Sequence, residues 1–204
     1  MCGLAGFLSC DLADGLATIR RMTDSIESRG PDDSGYWIDA ANNIAFGHRR
    51  LSVVDLSEAG HQPMHSPSGR YVVVFNGEIY NHLDLRRELE AKAELAWRGH
   101  SDTETLLAGC DAWGIRPTIE RATGMFALAI WDRACRVLTL ARDRLGEKPL
   151  YFGWQGSGSR RAFLFASELK ALKVHPVFSA GIDRGALCLL LRHNAIPAPH
   201  SIYE

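Results

Sequence analysis

The chain has 204 residues, 46% of them hydrophobic, and a formal net charge of -1. That length accommodates one domain with a substantial core, and the near-neutral charge gives no electrostatic reason to expect nucleic acid or an anionic membrane as a partner. No signal peptide and no bilayer-length apolar run is visible, so we expect a cytoplasmic protein with reduced thiols. The 5 cysteines include no Cys-x-x-Cys pair, and we expect no metal site.

Cys2 follows the initiator methionine and opens a short apolar run that we interpret as a buried strand. Removal of Met1 would leave the Cys2 thiol and a free α-amine on one residue. Because an α-amine has a pKa of about 7.7–8.0, it can accept the thiol proton near neutral pH. Cys2 is therefore a candidate N-terminal nucleophile that carries its own base, although a cysteine after methionine is by itself an ordinary residue.

The first half of the chain alternates helix and strand patterns. Apolar spacing predicts a helix over 16–26, and two strands are expected at 36–39 and 43–48. A long loop at 57–69, of a kind that is often functional, precedes a buried strand that begins at 71. We expect that strand to end at Asn76 and Gly77, where glycine would let the backbone approach a ligand or take a positive φ.

The second half begins with a helix predicted over 83–93. The sequence SDTE then predicts a capping box with Ser101 as N-cap, in which Asp102 has the simpler interpretation of a first-turn acid that interacts with the helix dipole. A β-hairpin is expected at 125–141, a strand at 162–166, a short helix capped by Ser167, and a helix at 183–194. Strand pairs with tight turns and helices in separate blocks indicate an α+β protein with antiparallel sheets.

A set of polar residues matches what a thiol attacking a carboxamide requires. Cys2 supplies nucleophile and base, Asn76 and Gly77 a side-chain amide and a backbone N–H for an oxyanion, and Arg50 a fork for a carboxylate. Two acidic residues are candidates for holding an ammonium group, namely Glu78 and Asp102. Together they describe a pocket for a free amino acid with an amide side chain. Each residue alone has a simpler interpretation as a surface charge, a turn or a helix cap.

Six motifs, in this order, resemble those of class II glutamine amidotransferases: CGLAG, RGPDDSG, HRRLSVVDL, FNGEIYN, SDTE and RDRLGEKPLY. Their amino-acid sequences are similar to those of the N-terminal glutaminase domain of glutamine-hydrolysing asparagine synthetases. The resemblance assigns residues 1–172 to that domain and residues 173–204 to the connection to a second domain. Ser28 departs from the pattern, since many relatives carry histidine there, and we expect the change to tune the site without abolishing it.

The resemblance implies an N-terminal-nucleophile hydrolase fold, a four-layer αββα sandwich of two antiparallel sheets flanked by helices. It implies that Cys2 attacks L-glutamine to form a γ-glutamyl thioester and ammonia, with Asn76 and the Gly77 N–H as the oxyanion hole. It also implies the glutamine-binding residues, which are Arg50 for the α-carboxylate, Glu78 and Asp102 for the α-ammonium, and Leu51, Ser52, Val53 and Val54 along the pocket.

The same resemblance implies a partner, an ATP-pyrophosphatase-type synthetase domain, C-terminal or separate, that amidates aspartate or another carboxylate. Its Ser-Gly-Gly-x-Asp-Ser phosphate loop is missing from these residues, so we expect ATP and Mg²⁺ in that domain and no cofactor in this chain. The abrupt ending favours an excised domain, and a homodimer stays open. The alternatives are an amidotransferase domain for another acceptor, such as a sugar acid or sugar phosphate, and a non-catalytic glutamine-binding module.

Overall fold

The computed structural model describes residues 1–9, 14–52, 57–197 and 200–203. The strands in these ranges are β1 (Gly3–Ser9), β2 (Asp33–Asp39), β3 (Ile44–Arg50), β4 (Met64–His65), β5 (Tyr71–Ile79), β6 (Gly124–Asp132), β7 (Val137–Arg142), β8 (Tyr151–Gln155) and β9 (Ala162–Ala166). The helices are α1 (Gly15–Asp24), α2 (His82–Glu90), α3 (Asp102–Trp113), α4 (Ile115–Arg121), α5 (Leu169–Lys173) and α6 (Arg184–His193). None of these helices combines the length and apolar composition needed to cross a bilayer.

The strands pair into two antiparallel sheets. The first sheet has the order β2-β3-β1-β9-β8 and the second the order β4-β5-β6-β7. One apolar cluster fills the space between the sheets and includes Leu4, Phe46 and Val74. The outer face of the first sheet packs on α1 and α5, and that of the second packs on α2, α3 and α4. The predicted four-layer αββα sandwich is therefore confirmed.

Strand alternation explains why polar residues gather at one end of the interlayer space. Successive side chains of a strand point to opposite faces, so residues two apart share a face. Along that face the sequence changes from apolar to polar, from Leu4 to Cys2 at β1, from Phe46 to His48 and Arg50 in β3, and from Val74 to Asn76 in β5. Because β1 and β3 are antiparallel, with Gly3 opposite Arg49, Cys2 and Arg50 lie at the same end.

Two predicted boundaries are wrong, and the first concerns β5. This strand continues through Asn76 to Ile79, because Asn76 and Gly77 pair with Ala127 and Phe126 of β6. A Cβ at position 77 would lie 2.3 Å from the Met125 carbonyl oxygen. Glycine is thus required by the close approach of β6, and Gly77 does not take the positive φ that a turn would need.

The second wrong boundary concerns Ser167, which does not cap α5. Its hydroxyl accepts a hydrogen bond from the Leu4 N–H at 3.0 Å, and its own N–H donates to the Leu4 carbonyl at 2.9 Å. The N-cap position of α5 belongs to Glu168. The N-cap predicted for α3 is confirmed, since the Ser101 hydroxyl accepts from the Glu104 N–H at 3.2 Å. The other half of the predicted capping box differs, because the Glu104 carboxylate accepts from the N–H groups of Arg98 and Gly99 at 2.8 and 3.0 Å.

Candidate active site

A cavity of about 240 Å³ opens at the polar end of the interlayer space, where the two sheets and the start of α3 meet. It brings together seven of the predicted site residues, which are Cys2, Arg50, Leu51, Asn76, Gly77, Glu78 and Asp102. Ser52 does not line this cavity; it lines an adjacent polar one, which also contains Asp33 and His61 and shares Arg50 with the first. Val53 and Val54 lie outside the described residues.

Cys2 is half-buried against the backbone of Leu51. The Leu51 N–H donates to the Cys2 sulfur at 3.4 Å, and the thiol faces the Leu51 carbonyl at 3.6 Å. The Arg29 Nε donates to the Cys2 carbonyl at 2.9 Å and fixes its backbone. Burial raises the pKa of the Cys2 thiol, against smaller opposing effects of the Leu51 N–H, the terminal ammonium and Arg50. With Met1 attached, the thiol therefore stays protonated at neutral pH.

Beyond the short pairing with β4, the edge of β5 that faces away from β6 is its free edge, and there the backbone N–H groups on both sides of Gly77 are hydrogen-bonded to side chains. The Phe75 N–H donates to the Gln62 side chain at 2.6 Å, and the Ile79 N–H donates to Asp102 at 2.9 Å. Opposite Gly77, the Phe126 N–H and carbonyl are both hydrogen-bonded to Asp143, away from β5. Since N–H directions alternate along an antiparallel strand, the Gly77 N–H lies on the same edge as those of residues 75 and 79.

Asn76 supplies a second donor to the cavity. The residue is only 2% exposed, and among the described residues its Nδ2 has no hydrogen-bond partner. An unsatisfied buried donor costs about 1–3 kcal/mol, so its persistence calls for an explanation such as a ligand. The Asn76 amide and the Gly77 N–H are suitable donors for an oxygen that develops negative charge beside Cys2.

Arg50 extends from the end of β3 and is 8% exposed. Its Nη1 donates to the Ser57 carbonyl at 2.9 Å. A Cβ at position 60 would lie 2.0 Å from the Arg50 Nη2, so glycine there makes room for the guanidinium. A guanidinium at the cavity wall matches a carboxylate through paired hydrogen bonds.

Two acids contribute to the cavity in different ways. Glu78 is exposed at its rim, whereas Asp102 is buried and burial raises the pKa of its carboxyl. Asp102 is also the first residue of α3 and holds the edge of β5 through Ile79. The simpler interpretation of Asp102 as a first-turn acid and its place in the cavity are therefore compatible.

Other residues of the site carried no role in the sequence analysis. Gln62 and Lys148 line the cavity, and His48 is hydrogen-bonded to Phe75, which also lines it. Asp143 accepts hydrogen bonds from the backbone N–H groups of Leu145, Glu147 and Lys148 and so shapes the loop that carries Lys148. The RDRLGEKPLY motif was visible in the sequence, but its contacts with Phe126 and Met1 form between distant segments.

Comparisons with known proteins identify the family of the chain. A family model described as a glutamine amidotransferase domain matches residues 1–204. The chain is 42% identical over 191 residues to asparagine synthetase [glutamine-hydrolyzing] 3 of Bacillus subtilis (strain 168), which covers 92% of this chain and 30% of that protein. It is 37% identical over 221 residues to a putative asparagine synthetase of Mycobacterium tuberculosis (strain ATCC 25618 / H37Rv), covering 100% of this chain and 33% of that protein. The chain thus spans about a third of the length of these curated relatives.

A solved structure of glutamine phosphoribosylpyrophosphate amidotransferase from B. subtilis, complexed with ADP and GMP, aligns with a TM-score of 0.68. The alignment covers 85% of this chain and 43% of that one at 21% identity. The two-sheet sandwich is accordingly the fold of an N-terminal-nucleophile amidotransferase. With the family model and these relatives, the chain belongs to the glutamine amidotransferase domain family, in class II.

Proposed function

We propose that this chain is the glutamine-hydrolysing part of an asparagine synthetase-like enzyme, with Cys2 as its nucleophile after removal of Met1. One observation carries the proposal: the Cys2 thiol shares a cavity with Asn76, whose buried amide donor has no partner among the described residues. The names of the relatives support glutamine as the nitrogen donor.

The proposed binding mode follows from the charges around the cavity. Arg50 receives the α-carboxylate of L-glutamine, and Asp102 with Glu78 receives the α-ammonium. This arrangement directs the side-chain amide toward Cys2 and Asn76. We propose that Leu51, Ser52, Val53 and Val54 form the adjoining wall, as the motif resemblance implies.

The proposed reaction has two halves. The α-amine of Cys2 takes the thiol proton, and the thiolate attacks the amide carbon to form a C–S bond. The resulting oxyanion accepts hydrogen bonds from the Asn76 amide and the Gly77 N–H. Proton transfer to the leaving nitrogen accompanies C–N cleavage and releases ammonia. Water then adds to the γ-glutamyl thioester, the C–S bond breaks, and glutamate and the free thiol are formed.

We further propose that the ammonia serves an ATP-dependent synthetase domain. The support is the length of the relatives, of which this chain spans 30% and 33%. Residues 1–172 would form the glutaminase unit and 173–204 the connection. ATP and Mg²⁺ would bind in the partner domain, where aspartate or another carboxylate is amidated.

The proposal is tested by assaying glutamate release by the untagged chain and by treating it with an electrophilic glutamine analogue. We expect turnover and a single adduct, located on Cys2 by mass spectrometry. An adduct without turnover would support the nucleophile and show that hydrolysis requires the partner domain. No adduct at Cys2 would overturn the proposal in favour of a glutamine-binding module.

Arg50→Lys is expected to raise KM for glutamine roughly tenfold or more and to change kcat much less. Lysine keeps the charge but loses the paired donors that match a carboxylate. Arg49→Lys is the matched control, because Arg49 points to the opposite face of β3 and pairs with Asp24. Steady-state kinetics of both variants provide the test, and an unchanged KM for Arg50→Lys would show that Arg50 is not the carboxylate anchor.

Asn76→Ala is expected to lower kcat by roughly 10²–10³-fold with little change in KM, since it removes one oxyanion donor. Asn81→Ala is the control, because the Asn81 amide donates to the Arg121 carbonyl at 3.0 Å outside the cavity. Glutamate release at saturating glutamine distinguishes the two. Equal kcat values for both variants would remove Asn76 from the oxyanion hole.

A further inference from the structure

The proposed nucleophile and the proposed oxyanion donors belong to different sheets. Cys2 precedes β1 in the first sheet, whereas Asn76 and Gly77 lie in β5 of the second. Apolar packing between the sheets is non-directional and does not by itself set their offset with the precision that catalysis needs. A displacement of about 1 Å can cost about 10²-fold in rate, so a directional contact near the site matters.

His48 makes such a contact. It is fully buried in β3, opposite Leu4 of β1, and its Nε2 lies 2.9 Å from the Phe75 carbonyl of β5. A carbonyl only accepts, so Nε2 carries the proton and donates across the interlayer space. Burial lowers the pKa of His48 to about 4, and the ring is therefore neutral with this single donor at neutral pH.

Gln62 makes a second hydrogen bond with the backbone of Phe75. Its Oε1 accepts from the Phe75 N–H, so both polar groups of this residue on the free edge of β5 are engaged. Asn76 is the next residue in the chain. On the first sheet, His48 stands two residues before Arg50, and its pairing partner Leu4 stands two residues after Cys2.

We propose that His48 is a positioning residue: by donating from Nε2 to the Phe75 carbonyl, it sets the offset between the strands that carry Cys2 and Arg50 and the strand that carries Asn76 and Gly77. This rests on the glutaminase function proposed above. In the described part of the chain, His48 is not among the residues that line the cavity. It acts through β5 and takes no proton from the substrate.

The test compares two amides of different reach at position 48. The terminal amide of His48→Gln can occupy the place of Nε2 and donate to Phe75, whereas that of His48→Asn reaches only the place of Nδ1. We expect the Gln variant to keep kcat within about threefold and the Asn variant to lose roughly 10²-fold. KM for glutamine should change less than kcat, because the Arg50 contact stays with the first sheet while only the ammonium contacts of Glu78 and Asp102 move with β5.

His175→Asn is the matched control for loss of a buried histidine. His175 packs on the ring of Phe7 at a centroid distance of 4.8 Å and accepts from the Val177 N–H, outside the cavity. We expect this variant to lower the unfolding midpoint and to leave kcat unchanged. A kcat loss as large as that of His48→Asn would show that general destabilisation, and no positioning effect, lowers the rate.

Amide hydrogen exchange supplies a readout that does not depend on turnover. We expect the amides of residues 75–79 to exchange faster in His48→Asn than in His48→Gln, His175→Asn or the parent chain. Equal exchange in this segment, or equal kcat for the Gln and Asn variants, would overturn the positioning role. If the parent chain neither releases glutamate nor labels at Cys2, the proposed function fails, and the exchange pattern still decides whether His48 holds β5.

Discussion

Cys2→Ala is expected to reduce glutamate release by at least about 10³-fold and to abolish labelling by the electrophilic glutamine analogue. Loss of a nucleophile that acts together with its base removes the covalent route altogether. The fold should persist, because the hydrogen bonds of the half-buried thiol within the described ranges are weak sulfur contacts with the Leu51 backbone. We expect a stability change of about 1 kcal/mol or less.

Two other thiols provide controls for this experiment. Cys188 is exposed on α6, and Cys110 is buried in α3, where burial raises the pKa of its thiol to about 12. Cys188→Ala and Cys110→Ala should therefore retain labelling at Cys2, and Cys188→Ala should retain full turnover as well. Glutamate release that survives in Cys2→Ala, or an adduct that moves to another thiol without loss of rate, would contradict the proposed mechanism.

Local sequence signals predicted most of the secondary structure. The hairpin of β6 and β7, the N-cap of α3 at Ser101 and the α6 helix after Asp183 all depend on residues close in sequence. The hydrogen bonds of helix caps and tight turns form between residues a few positions apart, so their sequence patterns can be recognised without tertiary information. The layer order followed from the family resemblance, and the structure confirms it.

The boundaries that were wrong depend on contacts between distant segments. Asn76-Gly77 has the composition of a turn, but β6 pairs with it and draws it into a strand. Ser167 has the composition of a helix cap, but its hydroxyl is used by Leu4, 163 residues away. In both places a contact with a distant segment replaces the local structure that the composition predicts.

The candidate site was predictable in part from strand alternation. The interlayer positions Val72, Val74 and Asn76 run from apolar to polar, and this change alone marks the end of the core. The functional roles came from the motif resemblance, and they stay predictions until the variants are measured. Gln62 and His48 were not predicted, since each bonds to the backbone of Phe75 from a separate segment.

Retention of Met1 is expected to lower glutaminase activity by at least about 10²-fold, which is the lower range for loss of a general base. With Met1 in place the Cys2 nitrogen is an amide and cannot accept the thiol proton, while burial raises the pKa of the thiol. Met1 also lines the cavity, where the Lys148 Nζ lies 3.6 Å from its sulfur. Its removal would therefore both create the base and enlarge the entrance.

The test uses two preparations of the same chain, one with an uncleaved N-terminal extension and one whose extension is cut to leave Cys2 first. Met1 is 60% exposed, so the N-terminus is accessible to a processing enzyme in the folded protein. Intact mass establishes the first residue of each preparation, and glutamate release is measured in parallel. Both preparations keep the hydrogen bond from Arg29 to the Cys2 carbonyl, so their unfolding temperatures should be similar. Equal activity would show that a base other than the Cys2 amine takes the thiol proton.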